Sequence, residues 1–481
     1  MNRPIRTLAI GCLVLFAMLL INVNYVQVIK ANDLNDDSAN KRARDAECSR
    51  ERGPILVGGD TVAESVPSED SLKFLRRYRD TELYAPVTGF FSCVYGTSGV
   101  ENSENSILSG SDGRLFVNRM IDLGRNDQPK GGSVLLTINA QAQQAALDGL
   151  KALPGDTKGA VVALDPETGG ILAMVTQPTY NPNRIATHDV DAAKRAYDRF
   201  NSDPNKPMLN RAAQEIYPPG STFKLITAAT ALSNGYTPET TVKGGTQLDL
   251  PQSSDTIQNE NGSDCGGTQI TLTQALQVSC NVSFADLGLK LGADKLRDQA
   301  EKFGFNEDVL DELPSASSDF PTNIDEPQTA LSAIGQYNVA ASPLQMAMVA
   351  AGIANGGAVM RPYVVQQVRS PDLEVLDEAD PQVLHQAILS SVAGDLTQMM
   401  VDVVESGTGI NAQIPGISVA GKTGTANSST DRAPYAWMVT FAPADGPQVA
   451  VAVIVEQTGV DRGEISGNGL AGPIARSVME A

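Results

Sequence analysis

Apolar residues are spread unevenly along the chain, and their distribution divides it into three parts. The stretch 7–29 has no charged residue, residues 30–130 are polar with short apolar pieces, and from Gly131 onward apolar segments alternate with turns. About 20 apolar residues are enough to cross a bilayer as a helix. We predict a membrane anchor with its short tip at 1–30, a small domain at 31–130, and a larger domain at 131–481.

The charges that flank the apolar stretch predict its orientation. Arg3 and Arg6 precede it, whereas Lys30 is followed by several aspartates. The flank richer in Lys and Arg stays on the cytoplasmic side, so we expect a single-pass protein of the cell membrane, with a cytoplasmic N-terminus and an extracytoplasmic remainder. The alternatives are a cleaved signal peptide, a lipoprotein and a buried core helix. No A-x-A cleavage site follows, and Cys12 lies inside the apolar run.

Strand-like and helix-like segments alternate in the larger domain. Two pairs of predicted strands each enclose a turn with Pro and Gly: Ala160–Leu164 with Ile171–Val175, and Tyr435–Phe441 with Val449–Glu456. The helical segments between the pairs are rich in Ala and Leu: Ser221–Asn234, Thr271–Gln277, Ser283–Leu291 and Leu344–Asn355. This order predicts an α/β layer structure whose sheet joins distant parts of the chain. The polar part before it lacks helical periodicity and predicts short strands and loops.

Composition narrows the possible functions. The chain has 36 Lys and Arg residues against 56 Asp and Glu residues, which gives a net charge of −20. Such a surface repels a phosphate backbone. Its two histidines, His188 and His385, are far apart, and no closely spaced Cys/His cluster occurs. We therefore expect no nucleic-acid partner, no metal and no cofactor, and a chemistry that does not use imidazole.

Four cysteines lie beyond the anchor, namely Cys48, Cys93, Cys265 and Cys280. An even number in an oxidising compartment permits disulfides, with three possible pairings. We favour Cys265–Cys280 because the two are close in sequence, and a loop of that size would contribute about 3 kcal/mol in the chain-entropy model. Small buried thiols are the alternative interpretation.

The segment Pro218–Lys224 introduces the strongest predicted helix of the chain. Ser221 lies in its first turn, and Lys224 follows three residues later on the same face, so that the two side chains can meet. A helix N-terminus offers free N–H groups and partial positive charge, which favour an alkoxide and an oxyanion. Lys224 can serve as general base if burial or a second cation lowers its pKa. The structural alternative is a capping serine beside a surface lysine.

Two further motifs follow in an order that gives each a role. Ser279-Cys280-Asn281 falls between two helical segments, where Ser279 can shuttle a proton and Asn281 can hold Lys224 and a substrate carbonyl. The strand-like segment Ile417–Ala426 contains the third motif. It has a cation, two hydroxyls and a glycine that allows close approach of a substrate backbone: Lys422, Thr423, Thr425 and Gly424.

These motifs, in this order, resemble those of the serine penicillin-binding proteins, S-x-x-K, S-x-N and K-[ST]-G. The resemblance extends from Gly131 to Ala481, and the short front domain behind a single anchor resembles class B members. It implies the penicillin-binding transpeptidase fold, an antiparallel sheet layered with helices plus a helical subdomain. A small β-rich domain and one transmembrane helix precede that fold. The front-domain pattern R-G-x-I-x-D-R is only half present, at 52–57.

The resemblance also implies a function. Ser221 would attack the D-Ala–D-Ala amide of a peptidoglycan stem peptide, with the backbone N–H groups of Ser221 and Thr425 as the oxyanion hole. An amine of a second stem peptide would complete the cross-link, and β-lactams would trap the serine. We expect partners in a membrane glycosyltransferase and divisome proteins, and a role in septal wall synthesis.

Two other classes of function remain open. One is a D,D-carboxypeptidase or serine β-lactamase, which passes the acyl group to water. A class A β-lactamase would need a Glu-x-x-Leu-Asn segment, which the sequence lacks. The other is a β-lactam-binding sensor or divisome scaffold with vestigial catalysis, which the intact motifs argue against.

Overall fold

A computed structural model describes residues 3–26, 30, 47–115, 130–426 and 433–481 of the chain. Its first helix, α1 (Arg3–Asn24), covers most of the predicted apolar stretch, whose residues 27–29 lie outside the described part. Within it, Ile5–Asn24 is long and apolar enough to cross a membrane, and the described part of the chain has one such helix. The side chains along it are exposed, as expected for a helix whose apolar surface contacts lipid.

The described residues 47–115 of the predicted small domain form short elements. Its strands are β1 (Ile55–Val57), β2 (Asp60–Pro67), β3 (Phe74–Tyr78), β4 (Phe91–Ser92) and β5 (Gly96–Thr97). Its helices are α2 (Thr81–Thr88), α3 (Val100–Ser103) and α4 (Asn105–Leu108). A disulfide joins Cys48, before β1, to Cys93, between β4 and β5.

The larger domain alternates strands and helices as the sequence pattern predicts. Its strands are β6 (Ser133–Leu136), β7 (Lys158–Leu164), β8 (Ile171–Gln177), β9 (Thr241–Lys243), β10 (Gln247–Asp249), β11 (Thr256–Gln258), β12 (Gln269–Thr271), β13 (Ala358–Met360), β14 (Val365–Arg369), β15 (Val375–Glu378), β16 (Val383–Gln386), β17 (Ala420–Ala426), β18 (Tyr435–Ala442) and β19 (Val449–Gln457). Its helices are α5 (Ala140–Lys151), α6 (Asn183–Ala186), α7 (Val190–Ser202), α8 (Arg211–Gln214), α9 (Lys224–Ser233), α10 (Leu272–Gln277), α11 (Asn281–Leu291), α12 (Ala293–Lys302), α13 (Glu326–Ser332), α14 (Pro343–Ala354), α15 (Ser390–Ser406) and α16 (Gly472–Glu480).

The central sheet of the larger domain has five antiparallel strands in the order β17-β18-β19-β7-β8. The two predicted hairpins are its β7/β8 and β18/β19 pairs, and β19 joins them by pairing with β7. Helix α14 packs against β7, β18 and β19, and α5 and α16 pack against each other and against the same sheet. The predicted antiparallel sheet layered with helices is thereby confirmed. Because β17 lies at the edge of this sheet, its outer side is open to other parts of the fold.

A second sheet connects the two domains. Its order is β15-β14-β6-β1-β2-β3, so that three strands that follow Gly131 in the chain extend the sheet of the small domain. Strand β6 pairs in parallel with β1 and antiparallel with β14. The small domain and the catalytic-motif domain therefore share backbone hydrogen bonds and do not rest on a linker alone.

Candidate active site

The first motif lies on a tight turn that precedes a helix. Gly220–Phe223 forms a 3-10 turn, and α9 begins at Lys224, whereas the sequence predicts one continuous helix from Ser221. Gly220 has φ +52° and donates its N–H to the carbonyl of Gly335. A Cβ at Gly220 would lie 2.8 Å from the Cβ of Ala426. Glycine is therefore required where the turn meets the end of β17, and this contact places Ser221 beside the third motif.

Lys224 is completely buried and directs its amine toward the second motif. Its Nζ donates to Asn281 Oδ1 at 2.6 Å, to the carbonyl of Ser279 at 2.7 Å and to Ser279 Oγ at 3.2 Å. The sequence predicts that Nζ can meet Ser221 Oγ, but these hydrogen bonds go to the second motif instead. Lys224 nevertheless follows the Ser221 turn directly, and its partners Ser279 and Asn281 line the same cleft as Ser221.

The second motif occupies the sharp connection between α10 and α11. Ser279 has φ +59°, in the left-handed region, and α11 begins at Asn281, two residues before the predicted start. Asn281 therefore lies in the first turn of α11 and its side chain projects back toward Lys224. The strained position of Ser279 aims its hydroxyl between two lysines, since Lys422 Nζ donates to the same Oγ at 2.8 Å.

The third motif lies on β17, in register with β18. Lys422 is completely buried and pairs with Val439, and its Nζ also donates to the carbonyl of Thr423. Thr425 lines the cleft that contains Ser221. A Cβ at Gly424 would lie 3.0 Å from the Thr222 side chain. The structure thus gives this glycine a second use beyond the predicted approach of a substrate, because it lets the strand approach the Ser221 turn.

Burial lowers the pKa of both lysines, and repulsion by Lys422 lowers that of Lys224 further. Burial first, and then the charge of Lys422, hold the pKa of Lys224 well below its usual 10.5. Burial lowers the pKa of Lys422 to about 7. The negative charge of Glu260 raises the pKa of both lysines and so partly offsets the effect of burial. A neutral amine next to a charged one is the arrangement that a general base and an anion-binding cation require.

A loop from Thr256 to Gly267 is fastened to the second motif at three points. The structure pairs Cys265 with Cys280, Asn281 Nδ2 donates to the carbonyl of Gln258, and Asn259 Oδ1 accepts from the N–H of Val282. Asn259 was not predicted, because a turn-forming run such as Asn-Glu-Asn-Gly is common in surface loops of any function. The three connections hold this loop as one wall of the cleft.

The cleft that these elements surround has a volume of about 830 Å³. Its lining includes residues of all three motifs, namely Ser221, Ser279, Asn281 and Thr425. Tyr337, Pro434 and Arg462 also line it. None of these last three was predicted. Within the described residues, no group of three or more His, Cys, Asp and Glu side chains could hold a metal ion.

Two families match this chain. The penicillin binding protein transpeptidase domain matches residues 159–480, and the penicillin binding protein A dimerisation domain matches residues 52–134. The fold and the serine cleft, with two buried lysines that contact Ser279, thus coincide with a penicillin-binding transpeptidase domain, the class that the three motifs predict.

Curated relatives and solved structures agree with this class. The peptidoglycan D,D-transpeptidase PbpA of Mycolicibacterium smegmatis is 43% identical over 100% of this chain and 99% of its own length. MrdA of Acinetobacter baumannii is 30% identical over 78% of this chain and 59% of its own. Penicillin-binding protein A from M. tuberculosis, solved as a ceftriaxone acyl-enzyme complex, superimposes with a TM-score of 0.87 at 41% identity, covering 91% of this chain and 99% of that one.

The chain belongs to the class B penicillin-binding proteins and is similar to mycobacterial PbpA over its whole length. The resemblance stated from the motifs is thereby confirmed, as is the expectation of an enzyme of the D,D-transpeptidase type.

Proposed function

We propose that this protein is a D,D-transpeptidase that cross-links peptidoglycan stem peptides through an acyl-enzyme on Ser221. One observation supports it most directly: Ser279 Oγ lies between the amines of Lys224 and Lys422, at the wall of the cleft that Ser221 lines. A serine hydroxyl with two lysines of lowered pKa can relay protons without a histidine. Such a relay suits acyl transfer, in which a proton leaves the nucleophile and later reaches the leaving amine.

The proposed first step uses Lys224 as the base. In its neutral form, Lys224 takes the proton of Ser221 Oγ as the oxygen attacks the D-Ala–D-Ala carbonyl. Ser279 then delivers a proton to the departing D-Ala nitrogen, and Asn281 fixes Lys224 and the substrate amide. The backbone N–H groups of Ser221 and Thr425 would hold the oxyanion. A second stem-peptide amine then attacks the ester, which releases Ser221.

The proposed role of the third motif follows from its place at a sheet edge. Strand β17 is the edge strand, so a substrate backbone can align along it as an added strand. Lys422 would supply positive charge for the substrate carboxylate, Thr423 and Thr425 would supply hydroxyls, and Gly424 would let the backbone approach. Thr423 is already oriented by its hydrogen bond to the hydroxyl of Thr408.

We further propose that the protein works at the membrane surface. Arg3 and Arg6 before the apolar helix support a cytoplasmic N-terminus and an extracytoplasmic catalytic domain. Septal wall synthesis, with a membrane glycosyltransferase and divisome proteins as partners, is the setting that we propose for this activity. Binding of β-lactams at Ser221 follows from the proposed acyl-enzyme, and the solved acyl-enzyme complexes of M. tuberculosis penicillin-binding protein A support it.

Labelling with a fluorescent penicillin tests the nucleophile. Full-length protein in detergent is expected to form a persistent adduct, and peptide mass spectrometry should locate it on Ser221. Ser221→Ala should abolish the label because the other hydroxyl of the turn, on Thr222, is buried and donates to the carbonyl of Pro219. The matched Ser233→Ala, at the exposed end of α9, should label normally. Rapid loss of the adduct to water would favour a β-lactamase or carboxypeptidase, and no adduct would favour a sensor or scaffold.

Acylation is expected to show a bell-shaped pH dependence. The base Lys224 must be neutral, and its lowered pKa places the acidic limb far below its usual 10.5. Lys422 must be charged, so the rate constant should fall as the pH rises through its pKa of about 7. The second-order rate constant for penicillin, measured in buffers of constant ionic strength, checks this. Lys422→Arg keeps its charge at high pH and should remove the alkaline limb, whereas a rate that climbs steadily to pH ~10 in the native protein would contradict the assignment.

A further inference from the structure

The walls of the Ser221 cleft carry an uneven distribution of charge. Among the described residues that line it, the side chains charged at neutral pH are Glu260 and Arg462. Arg462 lies in a short turn that follows β19 in the chain. Glu260 lies on the loop Thr256–Gly267, which is attached to the second motif. The two buried lysines are behind these walls. Glu260 is therefore the acid that an incoming substrate meets in this cleft.

Glu260 is held in position although its side chain is exposed. It opens a short 3-10 turn, Glu260–Gly262, directly after Asn259. Asn259 is buried, its amide donates to the carbonyls of Gly245 and Ser263, and its Oδ1 accepts from α11. The loop that carries Glu260 is thus attached to α11, whose first residue, Asn281, lines the same cleft.

The carboxylate of Glu260 has no partner within the described part of the chain. It forms no hydrogen bond or ion pair there, in contrast to the neighbouring Asn259, whose side chain is fully used. Its charge acts on both lysines, favouring their protonated forms. An acid at a cleft wall that is neither paired nor needed by the loop is available to a ligand, and its charge selects a cation.

We propose that Glu260 binds the protonated primary amine of the acceptor peptide at the mouth of the cleft, before that amine attacks the acyl-enzyme. The inference rests on the function proposed above and adds the element that selects the acceptor. The donor peptide ends in a carboxylate, which Glu260 repels and the lysine side of the cleft attracts. The acceptor brings an ammonium, which the positive charge of Lys422 would otherwise repel.

The reaction balances without any further reagent. The bound ammonium first gives one proton to water and becomes a neutral amine. As its nitrogen forms the new C–N bond and the C–O bond to Ser221 breaks, the amine loses a second proton. Lys224 accepts that proton and returns it to Ser221 Oγ. Glu260 contributes binding and orientation only, so it is a specificity residue and not an acid or base of the chemistry.

The test compares a charged and a neutral nucleophile on the same acyl-enzyme. Full-length protein in detergent is acylated with an acyl-D-alanyl thioester donor. It is then offered either an acetylated diamino-acid amide with one free side-chain amine, or hydroxylamine, which is neutral at pH 7. In Glu260→Gln, the concentration of the charged amine that gives half-maximal aminolysis should rise about fivefold relative to that of hydroxylamine. Glu260→Asp should restore part of the difference.

The control variant is Asp255→Asn, which removes the same charge from the same exposed segment outside the cleft lining and should leave both nucleophiles as in the native protein. If Glu260→Gln changed the half-maximal concentration equally for both nucleophiles, the proposal would be overturned. Such a result would mean that Glu260 acts through the pKa of the lysines or the structure of the loop, and not by binding the charged amine. No change at all would also overturn the proposal. Acylation of Ser221 in the native protein is measured before any acceptor is added. If it does not occur, the proposed function itself is wrong, and this outcome is distinct from a failure of the Glu260 proposal.

Discussion

Lys224→Met is expected to lower the second-order rate constant for acylation of Ser221 by penicillin by about a thousandfold. General-base catalysis by a positioned side chain contributes about 10²–10⁴-fold, and Lys224 is the amine whose lowered pKa suits this task. Methionine has a similar length and no charge, so it can occupy the buried space without a cavity. The measurement is the time course of fluorescent penicillin labelling at several drug concentrations.

The loss should occur without unfolding. Lys224 is completely buried, and a buried amine of lowered pKa costs folding free energy, so its replacement by an apolar side chain should leave the melting temperature unchanged or raise it. Lys290→Met is the matched control, because Lys290 is an exposed lysine on α11 that pairs with Asp286. Acylation of Lys224→Met at the native rate would show that another group takes the proton.

The parts of the fold that could be predicted are those fixed by local pattern. Strands β7, β8, β18 and β19 alternate with turns whose Pro and Gly signals are visible in the sequence, and the structure has them as adjacent strands of one sheet. The serine–lysine spacing and the Lys-Thr-Gly strand are local too. What brings them together is not local: β17 reaches the Ser221 turn through Gly220 and Gly424, where a Cβ would collide.

The rest could not be predicted because it depends on contacts between distant segments. Nothing in the run Ser133–Leu136 indicates that β6 pairs with β1 of the small domain. The start of α11 at Asn281, earlier than the apolar pattern suggests, depends on Asn259 accepting the N–H of Val282. Glu260 belongs to a polar turn whose sequence is typical of any surface loop. The assignment of roles to the motif residues stays a prediction until the variants are measured.

Glu101→Ala is expected to be among the most destabilising single replacements in the small domain. Glu101 is completely buried and accepts hydrogen bonds from Arg52 at 2.9 Å, Arg76 at 2.5 Å and the hydroxyl of Tyr78 at 3.0 Å. Burial by itself would raise the pKa of Glu101, but the two arginines more than offset it and lower that pKa. Removing the carboxylate leaves two buried guanidinium groups facing each other, which costs about 3–5 kcal/mol.

Thermal unfolding of the full-length protein in detergent measures this effect, with Glu64→Ala as the matched control. Glu64 also pairs with an arginine of the small domain, Arg79, but that pair is partly exposed and should contribute less than about 1 kcal/mol. Because the pKa of Glu101 is lowered on folding, its contribution is present at neutral pH and is lost as the pH falls through that lowered value. The difference in melting temperature between Glu101→Ala and Glu64→Ala should therefore become smaller at acidic pH. Equal losses of melting temperature in the two variants at neutral pH would mean that Arg52 and Arg76 find other partners.

The hydrogen bonds of Glu101 connect α3 to β3 and to the chain just before β1, and β1 pairs with β6. Their loss should therefore also weaken the sheet that joins the small domain to the catalytic domain.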